Sequence, residues 1–264
     1  MSAQDAPHRT KKRFGQHFLI DESVVGAMVR AIAPLPTDEL IEIGPGQGVL
    51  TRPLLQRLDA MTVIEIDRDL AQTLHQRLST SPAKLRIINA DVLGHDFPHP
   101  QQRVVGNLPY NISTPLLFHL FERAERLVDM HFMLQKEVVD RLVAVPGSKA
   151  YGRLSVMAQF YASMWHLFDV PPEAFEPPPK VDSAVIRLVP KALDKQAKAL
   201  AGSLEVVVRA AFGQRRKTLR NTLKHLIDPT AMETVGIDAG LRAEMLSVEA
   251  FLRLAELYQS NNRQ

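Results

Sequence analysis

The chain has 264 residues, 45% apolar and 23% charged, which suits a globular protein with one large domain, or one domain and a small appendage. It has no cysteine, so disulfides, thiolate metal sites and cysteine nucleophiles are excluded, and no apolar run approaches the roughly twenty residues of a membrane span. Lys and Arg number 32 against 29 for Asp and Glu, a net charge of +3 that identifies a nucleic-acid partner only where the cations cluster.

From Met1 to Lys12 the chain is basic without an apolar core, so no secretory signal is expected, and organised sequence from Arg13 leaves too little room for a mitochondrial presequence. A cytoplasmic location is the expectation. Lys11–Leu19 mixes charge with Phe14 and Phe18: an arm that either docks its rings on the core or closes over a ligand. An amphipathic stretch follows over Ser23–Ala33.

Glu39–Ile43 is a short strand that runs into Gly44-Pro45-Gly46-Gln47-Gly48 and a helix over Val49–Leu58. Glycine lets backbone approach a ligand closely and a helix start offers free N–H groups, so this is a nucleotide-type loop. Its spacing is not G-x-G-x-x-G and no Gly-Lys-Ser/Thr follows, which disfavours a P-loop. The second strand, Met61–Ile66, carries Glu65, about twenty residues beyond the glycines and placed to accept from ribose hydroxyls. Asp67 reads as the cap of a helix over Leu70–Leu78.

The third strand, Leu85–Ala90, ends at Asp91, a turn former or an acceptor for the exocyclic amine of an adenine. The fourth, Arg103–Gly106, delivers Asn107-Leu108-Pro109-Tyr110, which combines an amide, a proline without N–H and an aromatic face, a set suited to a flat, amine-bearing base or, taken alone, to a plain turn after a strand. Four strand ends with ligand-competent groups and helical patterns between them imply a parallel sheet that gathers them along one carboxyl edge.

Beyond Tyr110 the pattern predicts helices over Thr114–Arg123, Glu137–Val143 and Leu154–Phe160, and strands over Leu127–Leu134, Ser163–Val170 and Ala184–Val189. The proline-stiffened Phe175–Ser183 segment is a rigid connector or a platform whose Phe175 stacks on a base. A change of character after Pro190 marks a domain boundary, with residues 1–190 as the ligand-binding domain and 191–264 as a helical one. Within the latter, Phe212–Lys224 reads as a helix whose face carries Arg215, Arg216, Lys217, Arg220 and Lys224 with no acid among them, a face that is either solvated or directed at RNA phosphate. Ser247 caps a last helix over Val248–Tyr258.

With these segments in order, the chain resembles the small-subunit ribosomal RNA adenine dimethyltransferase family, whose bacterial member is known for kasugamycin sensitivity. The matching pieces are Lys12–Leu19 (KRFGQHFL), Glu42–Thr51 (EIGPGQGVLT), Val63–Asp67 (VIEID), Asn89–Asp91 (NAD), Gly106–Ser113 (GNLPYNIS), Pro177–Ser183 (PPPKVDS) and Phe212–Leu219 (FGQRRKTL). The resemblance implies an α/β, Rossmann-like S-adenosylmethionine-dependent methyltransferase domain with a small all-helical C-terminal domain. It implies two adjacent adenosines, in a hairpin near the 3′ end of small-subunit rRNA, as targets within a pre-30S particle, with no metal, no membrane and a monomeric enzyme. Cofactor contacts are implied at His17, Leu19, Gly44, Gly46, Glu65, Asp91 and Asn107. At position 17 relatives often carry Asn, so the contact there is backbone or mildly pH-sensitive. Asn107, Leu108, Pro109 and Tyr110 are expected to bind and orient the adenine, with Tyr110 and Phe175 on its faces. The alternatives are a large-subunit rRNA methyltransferase, a DNA N6-adenine methyltransferase and a ribosome-assembly or transcription factor that has lost catalysis.

Overall fold

The computed structural model describes residues 17–78, 83–109 and 111–262. The arm up to Gln16 and the ring of Tyr110 lie outside the described residues. The described chain opens with β1 (Phe18–Leu19) and α1 (Glu22–Ile32). Asp21 starts α1 by accepting from the Ser23 and Val24 N–H groups, and Val25, Met28, Val29 and Ile32, spaced three or four apart, form its buried face. Then follow β2 (Glu39–Ile43), α2 (Thr51–Leu55), β3 (Ala60–Glu65), α3 (Arg68–Leu78), β4 (Lys84–Asn89), β5 (Gln102–Asn107), α4 (Ser113–Phe121) and β6 (Leu127–Gln135). The next elements are α5 (Lys136–Leu142), α6 (Arg153–Tyr161), β7 (Ala162–Val170), β8 (Phe175–Glu176) and β9 (Ser183–Pro190).

Seven strands form one sheet in the order β4-β3-β2-β5-β6-β9-β7. The first five are parallel, and β9 runs antiparallel between β6 and β7. The chain builds outward from β2 through β3 to β4, then crosses back to place β5 on the other side of β2. That reversal opens a crevice at the carboxyl ends of β2 and β5, where open α/β sheets take ligands. Residues 40–43 of β2 and 104–106 of β5 are buried because both faces of the sheet are covered there. Their junction is tight: a side chain on Gly106 would sit 2.5 Å from the Ile43 carbonyl, so only glycine fits there.

The helix expected over Val49–Leu58 is shorter, α2 alone. Residues through Leu50 are turns, with Gly44, Gly46 and Gly48 all at positive φ. The stiff proline segment also holds a strand missed in the sequence: β8 pairs with β1, Phe18 opposite Glu176 and Leu19 opposite Phe175. The Glu176–Pro177 peptide is cis.

After Pro190 the chain is helical: α7 (Lys195–Ala211), α8 (Leu219–Thr222), α9 (Pro229–Thr234) and α10 (Val248–Asn261), the last capped by Ser247. Their core also takes in Tyr151, Val156, Met157 and Phe160 from α6 and the loop before it, and the Tyr151 hydroxyl donates to the Leu246 carbonyl at 2.9 Å. The helical part is therefore packed as one body with α6, across the boundary expected at Pro190. The single basic helix expected over Phe212–Lys224 is a correction. A 3-10 turn spans Phe212–Gln214, Thr218 bridges Arg242, and the N–H groups of Leu219 and Arg220 donate to the Leu241 and Ala239 carbonyls instead of to their own preceding turn. Tertiary acceptors thus replace the helical ladder, and α8 holds only the last part.

Among the described residues no helix is long and apolar enough to cross a membrane, and no three His, Asp or Glu side chains are grouped to hold a metal ion.

Candidate active site

The carboxyl edge of the sheet holds a cavity of about 340 Å³. It is lined from β2 by Gly44 and Gly46, from β3 by Glu65, from beyond β4 by Asp91, and from β5 by Asn107, Leu108 and Pro109. His17, Leu19 and Phe175 close it from the β1–β8 side. The structure thus brings together every expected cofactor position. It keeps the five basic residues elsewhere, exposed on the helical part.

Each polar group is aimed by a local interaction. Glu65 is 3% exposed; one carboxylate oxygen accepts from the Gly46 N–H at 3.1 Å and the other from the Asp67 N–H at 2.9 Å. The carboxylate is fixed between the glycine turn and the start of α3, and each oxygen keeps a second lone pair for a ligand. Burial pushes its pKa up, opposed by these same backbone hydrogen bonds. Asn89 donates to the Glu65 carbonyl at 2.8 Å and so holds the ends of β3 and β4 in register. Asp91 caps the turn Val92–Gly94, one oxygen accepting from the Leu93 N–H at 3.0 Å. Asp67 caps α3, accepting from the Asp69 N–H at 2.9 Å.

At the end of β5 the Asn107 amide nitrogen donates to the His17 carbonyl at 3.4 Å. Leu108 is buried and its N–H donates to the Met133 carbonyl at 3.1 Å, while the Pro109 carbonyl accepts from the Ile112 N–H at 3.2 Å. Phe175 is 3% exposed and packed in the core as a wall of the cavity, with its backbone committed to β1.

Glu42 went unremarked in the sequence. It is 2% exposed, lines the cavity floor and accepts from the Thr51 hydroxyl at 2.6 Å. Burial, offset in part by the Thr51 bond and reinforced by the Glu65 charge, pushes its pKa up to about 8. A carboxylate one residue before the end of an otherwise apolar buried strand was the signal available.

The cavity fits S-adenosylmethionine by its donor set. Glycines at positive φ leave backbone bare at the switch point, a fixed carboxylate stands at the end of β3, and a further carboxylate and an amide lie along the same edge. A side chain on Gly46 would press on the Phe18 ring at 3.3 Å, so the cradle is already closed over by β1.

Fold and cavity define a Rossmann-like, S-adenosylmethionine-dependent methyltransferase. The profile of the ribosomal RNA adenine dimethylase family matches residues 7–260, and the chain belongs to that family. It is 55% identical over 251 residues to the ribosomal RNA small subunit methyltransferase A of Bordetella petrii, covering 94% of this chain and 95% of that one. It is likewise 55% identical over 252 residues to the protein of the same name from Methylococcus capsulatus, covering 94% and 97%. Among solved structures, the 23S rRNA methyltransferase ErmE superposes with a TM-score of 0.72 at 28% identity, over 92% of this chain and 99% of that one. A dimethyladenosine transferase from Plasmodium falciparum shares the fold, with a TM-score of 0.79 at 23% identity over 93% and 98% of the two chains.

Proposed function

We propose that this chain transfers methyl groups from S-adenosylmethionine to N6 of two adjacent adenosines in the 3′-terminal hairpin of small-subunit rRNA, giving N6,N6-dimethyladenosine. It acts as a cytoplasmic monomer on a pre-30S particle. The observation that carries this reading is the single cavity that joins Glu65 and Asp91 to Asn107 and the Leu108–Pro109 backbone.

In this reading Glu65 accepts from the ribose hydroxyls and Asp91 from the adenine amine of the cofactor, with Gly44, Gly46, Leu19 and the backbone of His17 as the surrounding cradle. When bound, S-adenosylmethionine supplies an electrophilic methyl group on a sulfonium. Adenine N6 is a weak nucleophile because its lone pair is delocalised into the ring. Asn107, its amide nitrogen turned toward His17, presents its oxygen to the target amine. The second acceptor is the carbonyl of Leu108 or of Pro109, the latter already accepting once from Ile112. Two acceptors on N6 favour a pyramidal nitrogen with its lone pair aimed at the methyl group, and the main catalytic effect is alignment. Removing the proton afterwards needs no strong base.

Tyr110 stacks on the flipped base and Phe175, held rigidly by β8, forms the opposite wall. The exposed Arg216, Lys217, Arg220 and Lys224 hold the surrounding RNA by phosphate contact, together with Arg215. The test is to incubate the protein with labelled S-adenosylmethionine and unmodified small subunits, digest the RNA and identify the nucleoside. Labelled dimethyladenosine is expected; its absence would leave an assembly factor without catalysis in front.

A further inference from the structure

We infer that His17 is a positioning residue that couples the two halves of the cavity, its imidazole serving the base-side loop and its carbonyl serving Asn107; this rests on the reading of the site given above. The His17 Nδ1 lies 2.7 Å from the Pro177 carbonyl oxygen. A carbonyl can only accept, so Nδ1 carries the proton and donates. The carbonyl of the same residue accepts from the Asn107 amide at 3.4 Å, which turns the amide oxygen toward the target.

Next to these two bonds begins a short ribbon. β1 and β8 pair over two residues each, extended by the Ile20 N–H donating to the Ala174 carbonyl at 2.8 Å. A ladder this short is weak by itself, so a side-chain bond at its open end has a disproportionate effect on whether it stays closed. On its other side the ribbon leans on the cofactor cradle, since the Phe18 ring lies 3.3 Å from the place a Gly46 side chain would take. The ribbon, with Phe18 on β1 and Phe175 on β8, thus packs on the glycine loop, and His17 ties it at the corner where Asn107 also attaches. With Nδ1 donating to Pro177, the imidazole is tied to the base-side loop. Loss of the imidazole should let the Pro177 loop and the Asn107 amide drift while leaving the Gly44, Gly46 and Glu65 contacts in place.

The test uses the full chain with unmodified small subunits. S-adenosylhomocysteine affinity is measured by calorimetry, and methyl transfer in a single turnover at saturating cofactor, for the wild type, His17→Ala and His17→Asn. We expect His17→Ala to leave the affinity within about threefold and to slow transfer about tenfold, the effect of one lost hydrogen bond. His17→Asn, whose amide can donate to the Pro177 carbonyl, should restore most of the rate. An affinity loss of tenfold with the single-turnover rate unchanged would overturn the inference in favour of a side-chain cofactor ligand. No change in either quantity, or no rescue by Asn, would overturn it as well. Should His17→Ala fail to fold, His17→Phe keeps a ring without the donor and gives the same comparison. A wild type that transfers no methyl group would instead defeat the functional reading, an outcome separate from any of these.

Discussion

The two ends of β5 treat polar groups in opposite ways. At its start, Arg103 spends its guanidinium inside the protein: Nε and Nη2 donate to Asp129 at 2.8 and 3.0 Å, Nη1 to Asp38 at 2.7 Å, and Nη2 also to the Ile32 carbonyl at 2.6 Å. Arg187, with its guanidinium 6.0 Å above the Trp165 ring, adds a further bond to Asp129 at 3.3 Å. At its end, Asn107 is tied by one long bond and opens on a cavity shared with Glu65 and Asp91. Charge buried at the amino edge is matched by charge within the chain. Polar groups at the carboxyl edge are aimed but left with capacity, and that capacity is what a ligand uses.

Removing one partner from the closed network should have the largest effect. Asp129→Ala takes two hydrogen bonds from Arg103, leaving it Asp38 and the Ile32 carbonyl, and is expected to cost about 3 kcal/mol of folding stability, measured by chemical denaturation, with activity per folded molecule retained. Asn107→Ala should show the reverse: a loss of about 10²- to 10³-fold in methyl transfer, the scale for one misplaced transition-state contact, with the melting temperature near wild type. If the two variants exchanged phenotypes, the contrast between the edges would collapse. Glu65→Ala is expected to weaken cofactor affinity about ten- to a hundredfold, readable by calorimetry, as befits a lost charged hydrogen bond.

The pH dependence of stability sharpens the same contrast. Burial pulls the pKa of His131, beside Asp129, from 6.5 down to about 4. The folded state then binds fewer protons than the unfolded one, and stability falls as pH drops from 6.5 toward about 4. Glu42 runs the other way: its folded pKa is raised from 4.5 to about 8, the folded state binds more protons, and stability falls as pH rises through that window. Glu42→Gln should flatten the alkaline limb and His131→Asn the acid limb in thermal melts of the cofactor-free protein. The smallest effect belongs to the surface. Arg216→Ala should reduce the salt slope of RNA binding by about one and leave cofactor affinity unchanged. Arg215 differs from its neighbours, because it donates to the Lys149 carbonyl and pairs with Glu244 at 3.5 Å; its replacement should also loosen the basic turn against the loop before α6.

The sequence by itself determined the alternation of strands and helices, the glycine turn, and the carboxylates and amide at successive strand ends, because period and turn chemistry are local. The cavity residues Gly44, Gly46, Glu65, Asp91 and Asn107 were legible for the same reason, because in a parallel sheet strand ends share an edge, whereas His17 and Leu19 followed only from the family resemblance. Only the tertiary structure decided what depends on partners distant in sequence. The basic segment after Phe212 is a turn because Ala239 and Leu241 supply its acceptors, and α6 joins the helical part because Tyr151 reaches Leu246. Glu42 is a buried cavity-floor carboxyl because Thr51 and Glu65 surround it. The β1–β8 ribbon, with His17 on Pro177, joins residues 160 positions apart, and a contact of that span leaves no local periodicity in the chain to read.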